Sequence, residues 1–294
     1  MSCLKFVGLC FAMVFERLFS VAIFLSESKA LTEFANILCS PDAGVATITL
    51  NRADKLNPLD WQTIKELLSC VRRLERDKAV RVVIITGAGR AFSAGGDLNG
   101  YLDLYAKADE FRAFLRDFFS LCEEIEGSEK IYVAAVNGVA VAGGIELILA
   151  CDLVLMSAEA QIGDGHLNFA QLPGAGGSQR LPRAVGILQA KRLILTGELI
   201  DAEEAKAIGL VTKIVAGDEL ERVVQDLARS LLEKSAAALK GAKHLVNEGM
   251  TLERGKALAM EMDFVHDYAT NHPDAMEGLR AFQEKRPAKF EDQE

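Results

Sequence analysis

The feature that most constrains this fold is a pair of glycine-rich loops, each directly after a β-rich stretch, with one carboxylate three residues beyond the second. The first loop, TGAGRAFSAGGDL at 86–98, follows the apolar run at 80–85. The second, NGVAVAGGIELILACDL at 137–153, follows YVAAV at 132–136. Glycine lets a backbone approach a ligand closely, and a peptide N–H at a helix start has no internal partner. Two such N–H groups from separate loops can converge on one developing oxyanion, a powerful device in acyl chemistry. On a helix beginning near Gly143, Glu146 lies on the same face as that glycine. It is therefore a positioned acid/base beside an anion site.

The rest of the pattern supplies the frame. Residues 45–50 (VATITL) alternate as a strand. Asn57-Pro58 then opens a helix expected over 59–75, with Pro58 in the first turn. Residues 80–86 read as a buried strand, and 109–125 carry apolar positions at helical spacing. Short strands are expected at 153–156 and 161–163. Beyond Asp164 the pattern is mainly helical, over 176–185, 188–195, 202–208, 218–232, 236–247, 252–269 and 274–283, with one short strand at 211–215. This rhythm implies an α/β sheet built from ββα-type units, without internal repeats or long linkers.

Composition narrows the function. Half of the 294 residues are hydrophobic, enough for one large domain with a helical appendage. A net charge of −9 argues against a nucleic-acid partner. The six cysteines are scattered without a CxxC pair, which favours a reducing, cytoplasmic setting. No two of the four histidines stand at metal-ligand spacing, so no metal is expected. Residues 1–30 differ in kind: two apolar runs, 6–15 and 18–25, are broken by Glu16-Arg17, with Lys5 ahead of the first. They have the outline of a signal peptide, but each run falls well short of the roughly 20 residues of a spanning helix. A targeting or membrane-associating segment and a mere N-terminal extension both fit.

From about Val45 to Phe290 the chain resembles the enoyl-CoA hydratase/isomerase (crotonase) superfamily, on AGGD at 94–97, AGGIE at 142–146, GDGH with LPGAGG at 163–177, and FQEKR at 282–286. The resemblance implies a crotonase-like spiral of ββα units over 31–230, and a C-terminal helical trimerisation region over 231–294. Homotrimers, commonly paired into hexamers, follow from it. It also implies an acyl-CoA substrate, with CoA part of the substrate and no separate cofactor.

Carried over residue by residue, the family pattern makes Gly96 and Gly143 the two oxyanion donors. Ala94, Asp97 and Leu98 lie along the thioester and pantetheine, Asp97 more as a tie for its own loop. Lys55 and Leu56 match the stretch that touches the adenine end of CoA. Phe282 and Lys285 match residues reaching a CoA bound by a neighbouring subunit. A dinucleotide-binding reading of Gly87-Ala88-Gly89 fails, because Phe92 takes the place of the third glycine. Glycines 174–177 lack the lysine of a P-loop and read as a helix-entry loop shaping the acyl pocket.

The chain departs from the family's hydratases at one point. They carry a second glutamate where this chain has His166. A histidine can still handle a proton near neutrality, so Glu146 and His166 are the candidate catalytic pair, with Asp164 either orienting the imidazole or lining the pocket. A purely structural His166 is the alternative. Reversible hydration of a 2-enoyl-CoA leads; isomerisation, thioester hydrolysis, decarboxylation and retro-aldol cleavage share the same enolate. Phe92, Leu98, Leu102, Phe119 and Leu167 are candidate acyl-pocket walls.

Overall fold

The computed structural model describes residues 34–291; the segment at 1–30 lies outside them. Two sheets carry the architecture. The larger has the order β1-β2-β3-β5-β7-β10 and comprises β1 (Ile37–Asp42), β2 (Val45–Leu50), β3 (Val82–Gly87), β5 (Ile131–Val136), β7 (Leu153–Ser157) and β10 (Lys213–Val215). Only β1 runs antiparallel to its neighbour. It joins β2 through Ala43-Gly44, both at positive φ, the two-residue hairpin geometry whose twist matches its strands. Because β1 is an edge strand, it tolerates Pro41 and shows no clean alternation, so the sequence gives it little signal.

Strands of this sheet are apolar on both faces because both are covered. Val83 and Ile85 of β3 face a core shared with α1 (Trp61–Arg76) and α3 (Ala108–Glu126), including Leu67, Val71, Phe114 and Leu121. Val82 and Ile84 face the opposite core, closed by Val224 and Ala228 of α8 (Leu220–Leu232).

The smaller sheet positions the site. Its order is β4-β6-β8-β9, with β4 (Ala91–Ser93), β6 (Val139–Val141), β8 (Gln161–Gly163) and β9 (Ile200–Asp201). Strands β3, β5 and β7 each lead through a short turn into β4, β6 and β8 respectively. Ser93 pairs with Ala140, and Val141 with Gly163. The residues just after these strands, Ala94, Ala142 and Asp164, are thereby brought side by side, although up to 70 positions apart. Helices α2 (Leu98–Tyr105) and α4 (Gly143–Leu149) leave from two of those loops. The chain continues through α5 (Gly177–Val185), α6 (Ile187–Thr196) and α7 (Ala202–Ala207) to α8. It then runs through α9 (Ala236–Gly249), α10 (Arg254–Asn271) and α11 (Pro273–Glu284). No described helix is long and apolar enough to cross a membrane.

Two expectations need correction. Pro58 does not open a helix: α1 starts at Trp61, because Asp60 caps it by accepting from the Thr63 N–H at 2.8 Å. Asn57 instead takes a left-handed conformation (φ 54) in the preceding loop. Helix α2 was not expected at all, because the glycines at 95 and 96 mask a start that the Asp97 side chain caps.

Candidate active site

The loop after β4 is built by hydrogen bonds from the strand end and from the loop at 51–58. Ala94 N–H donates to Leu56 O (2.9 Å) and Leu59 N–H to Gly95 O (2.8 Å). Ser93 Oγ donates to Asn57 O (2.8 Å) and accepts from Gly95 N–H (3.1 Å). Asn57 is buried, donating to Ala88 O (2.9 Å) and Ala91 O (2.8 Å) while accepting from Arg52 N–H (2.9 Å). Lys55 and Leu56 thus come to lie beside Ala94–Leu98, with Lys55 exposed. Truncating Asn57 to Ala strands these backbone groups without partners and should destabilise the fold by about 2–3 kcal/mol. Denaturant unfolding checks it, and a loss below about 0.5 kcal/mol would contradict this account.

The second loop packs directly on the first. A Cβ placed on Gly95 (φ +86) would stand 3.5 Å from Gly143 N and 2.9 Å from both Val141 O and the Ala142 Cβ, so only glycine permits the approach. Ala142, immediately before Gly143, is held at φ 52, ψ −118, a conformation unfavourable for a residue with a Cβ. That strain sits where the orientation of the Gly143 N–H is set. Neither the Gly96 nor the Gly143 N–H is taken up by a turn, loop or cap hydrogen bond among the described residues. Gly143 is the first residue of α4, so its N–H also stands at the positive end of a helix. Asp97 caps α2, accepting from the Asn99 and Gly100 N–H groups at 3.2 and 3.3 Å.

Glu146 is the one charged residue of α4, 2% exposed among the buried Ile145, Leu147 and Ile148. Its Oε1 accepts from the N–H groups of Ala175 and Gly177, both at 2.8 Å. The glycine-rich loop at 174–177 therefore has a role that the sequence reading missed: with the start of α5 it fixes the orientation of this carboxylate. A carboxylate at a helix N-terminus is a general pairing, and a glycine-rich helix entry was the available signal. Burial pushes the Glu146 carboxyl above the usual range, against the Gly177 N–H, His166 and the Ala175 N–H.

Oε2 of Glu146 faces His166 Nε2 at 3.8 Å. On its other side, His166 Nδ1 lies 3.0 Å from Asp164 Oδ1. A carboxylate can only accept, so Nδ1 carries a proton and Nε2 is turned toward Glu146. Asp164 is fully buried, and its Oδ2 has no hydrogen-bond partner among the described residues. Burial works against a charged imidazole here, but the Asp164 hydrogen bond and the charges of Asp164 and Glu146 outweigh it, and the His166 pKa rises.

The structure thus brings Lys55, Leu56, Ala94, Gly96, Asp97, Leu98, Gly143, Glu146 and His166 into one region. Phe282 (84% exposed) remains on the outer helix α11, and Lys285 caps its C-terminal end. The expected wall residues fare unevenly. Phe92 is sealed in the core, Leu102 is 77% exposed, and Phe119 lines a separate cavity of about 640 Å³ with Glu123, Arg180 and Lys243. Rings that the sequence did not single out, Tyr101 and Phe118, pack instead on Gly96 and Gly143.

Residues 40–293 match the model of the enoyl-CoA hydratase/isomerase family. The chain is 39% identical over 260 residues to the crotonyl-CoA hydratase of Syntrophomonas wolfei, covering 87% of this chain and 98% of that protein. It is 36% identical to the short-chain-enoyl-CoA hydratase of Clostridium acetobutylicum, covering 86% and 97%. The crystal structure of an enoyl-CoA hydratase from Bacillus anthracis superposes with a TM-score of 0.83 at 34% identity, covering 88% of this chain and all of that one.

Proposed function

This chain belongs to the enoyl-CoA hydratase/isomerase family and is a hydratase-like enzyme, and we propose that its reaction is the reversible addition of water to a 2-enoyl-CoA. The observation that carries this reading is the facing pair Glu146 Oε2 and His166 Nε2, 3.8 Å apart, beside two free N–H groups from separate loops. A gap of that size lets both groups hold one water.

In this reading the thioester oxygen lies between the N–H groups of Gly96 and Gly143. Glu146 Oε2 takes a proton from water as the water oxygen bonds to C3. The electron pair of the double bond moves to the thioester oxygen, where the two donors stabilise the enolate, each worth about 3 kcal/mol. His166, protonated on Nε2, gives that proton to C2. Passage of the water-derived proton from Glu146 to His166 resets the pair. The raised His166 pKa favours the imidazolium as donor, so His166 works here as the acid rather than as the group that deprotonates water.

In the same reading Lys55 meets the adenine end of CoA. Phe282 on α11 and Lys285 just past its end are exposed, and in this reading they reach the CoA held by a neighbouring subunit of a trimer. Lys285→Ala should then raise KM for CoA esters with little change in kcat; a lower kcat at unchanged KM would count against it. The reaction itself is tested with purified protein on saturated, 2-enoyl, 3-enoyl, malonyl-type and aromatic CoA esters. Hydration predicts loss of the conjugated enoyl absorbance and a 3-hydroxyacyl product. Conversion of 3-enoyl to 2-enoyl ester without hydration, or release of free CoA, would overturn it.

A further inference from the structure

The side of Gly96 on which a side chain would stand is occupied by the phenol oxygen of Tyr101, and even a methyl group there would collide with it. Gly143 is backed in the same way by the edge of Phe118, 3.1 Å from where its Cβ would lie. Tyr101 sits one turn into α2, its N–H bonded to Asp97 O at 3.0 Å. From that position a side chain leans back over the helix N-terminus, here onto the glycine loop. The ring is held by stacking on Tyr105 (centroids 5.4 Å apart) and by the edge of Phe114 (5.8 Å), which in turn meets Phe118 at 6.2 Å. Tyr101, Phe114 and Phe118 therefore form one aromatic wall running from one donor glycine to the other.

The Tyr101 hydroxyl is the polar atom on that wall. The neighbouring Tyr105 hydroxyl donates to Gln171 Oε1, whereas that of Tyr101 bonds to no described residue. Burial pushes the Tyr101 phenol far above its usual range, and Tyr105, Glu146 and Asp97 add to the effect. It stays a neutral O–H, which donates a hydrogen bond but cannot serve as a base.

We propose that Tyr101 is a further catalytic residue, whose phenol O–H donates a third hydrogen bond to the thioester oxygen as that oxygen becomes an enolate. The proton stays on the phenol throughout. The proposal rests on the thioester reading above. It also accounts for glycine at 96, since any larger residue would expel the phenol.

Two readouts test it. Tyr101→Phe keeps the ring and its stacking, so the protein should melt as the wild type does while kcat on a 2-enoyl-CoA falls about 10²-fold, the usual loss for one such donor. Cinnamoyl-CoA absorbs at longer wavelength when its thioester carbonyl is polarised, and its red shift on binding should shrink in Tyr101→Phe. Gly96→Ala, which displaces the phenol, should reproduce both losses, and the double variant should be no worse than either. Wild-type kcat and an undiminished red shift in Tyr101→Phe would overturn the proposal, leaving the ring as packing. A wild-type protein that turns over no 2-enoyl ester and binds cinnamoyl-CoA without a shift would overturn the thioester reading, and the role of Tyr101 with it.

Discussion

Replacing Glu146 with glutamine should abolish nearly all turnover, a loss in the 10²–10⁴-fold range that a positioned general base supplies, with the fold intact. The amide oxygen can still accept the Ala175 and Gly177 N–H bonds that hold Oε1. Its NH2 would then point at His166, where it can accept no proton. The swap also removes a buried charge, so the variant should be at least as stable as the wild type. Steady-state rates and a thermal melt on the same preparation check this. An active Glu146→Gln protein would remove Glu146 from the chemistry, whereas an unfolded one would contradict the hydrogen-bond account of its environment.

His166→Gln should cost about 10²-fold, and its signature lies in the pH profile. The working state pairs a Glu146 carboxylate with a His166 imidazolium. The Glu146 pKa lies above the usual carboxylate value through burial, so activity falls as pH drops through that raised value. The His166 pKa lies above its usual value, since its two carboxylate neighbours outweigh burial, so activity falls as pH rises through it. The profile is a bell whose alkaline limb belongs to His166, and His166→Gln should remove that limb while keeping the acid one. If rate and profile both survive, Glu146 works alone, and the enzyme is better read as a single-base isomerase.

Much of this site could be read from residue order. The paired glycine loops and Glu146 three residues after Gly143 are local patterns, and local patterns survive without a fold; the resemblance to the family marked His166 as standing where a second glutamate is expected. The same holds for most elements: the buried strands β3 and β5 announce themselves by apolar runs, and α3 by helical spacing. What escaped depends on strand pairing or on single side-chain caps. Strand β1 earns its place by pairing with β2 rather than by its own pattern. The start of α2 depends on one side-chain cap behind two glycines. Helix α1 begins at Trp61, behind its Asp60 cap, rather than at Pro58, because a capping carboxylate satisfies a free N–H group and a fixed proline φ does not.

The sequence by itself determined which groups this protein has for chemistry: two flexible backbone donors, one carboxylate on an apolar helix, one histidine beside an aspartate. The tertiary structure decided what those groups face. Pairing of β4, β6 and β8 sets three loops side by side, because strand register, not sequence distance, fixes neighbours. That register turns Glu146 Oε2 to His166 and hands Oε1 to a loop 29 residues away. The first turn of α2 puts a tyrosine hydroxyl against Gly96. Orientation and burial tune a carboxylate and an imidazole, and both are properties of packed neighbours that no spacing along a chain contains.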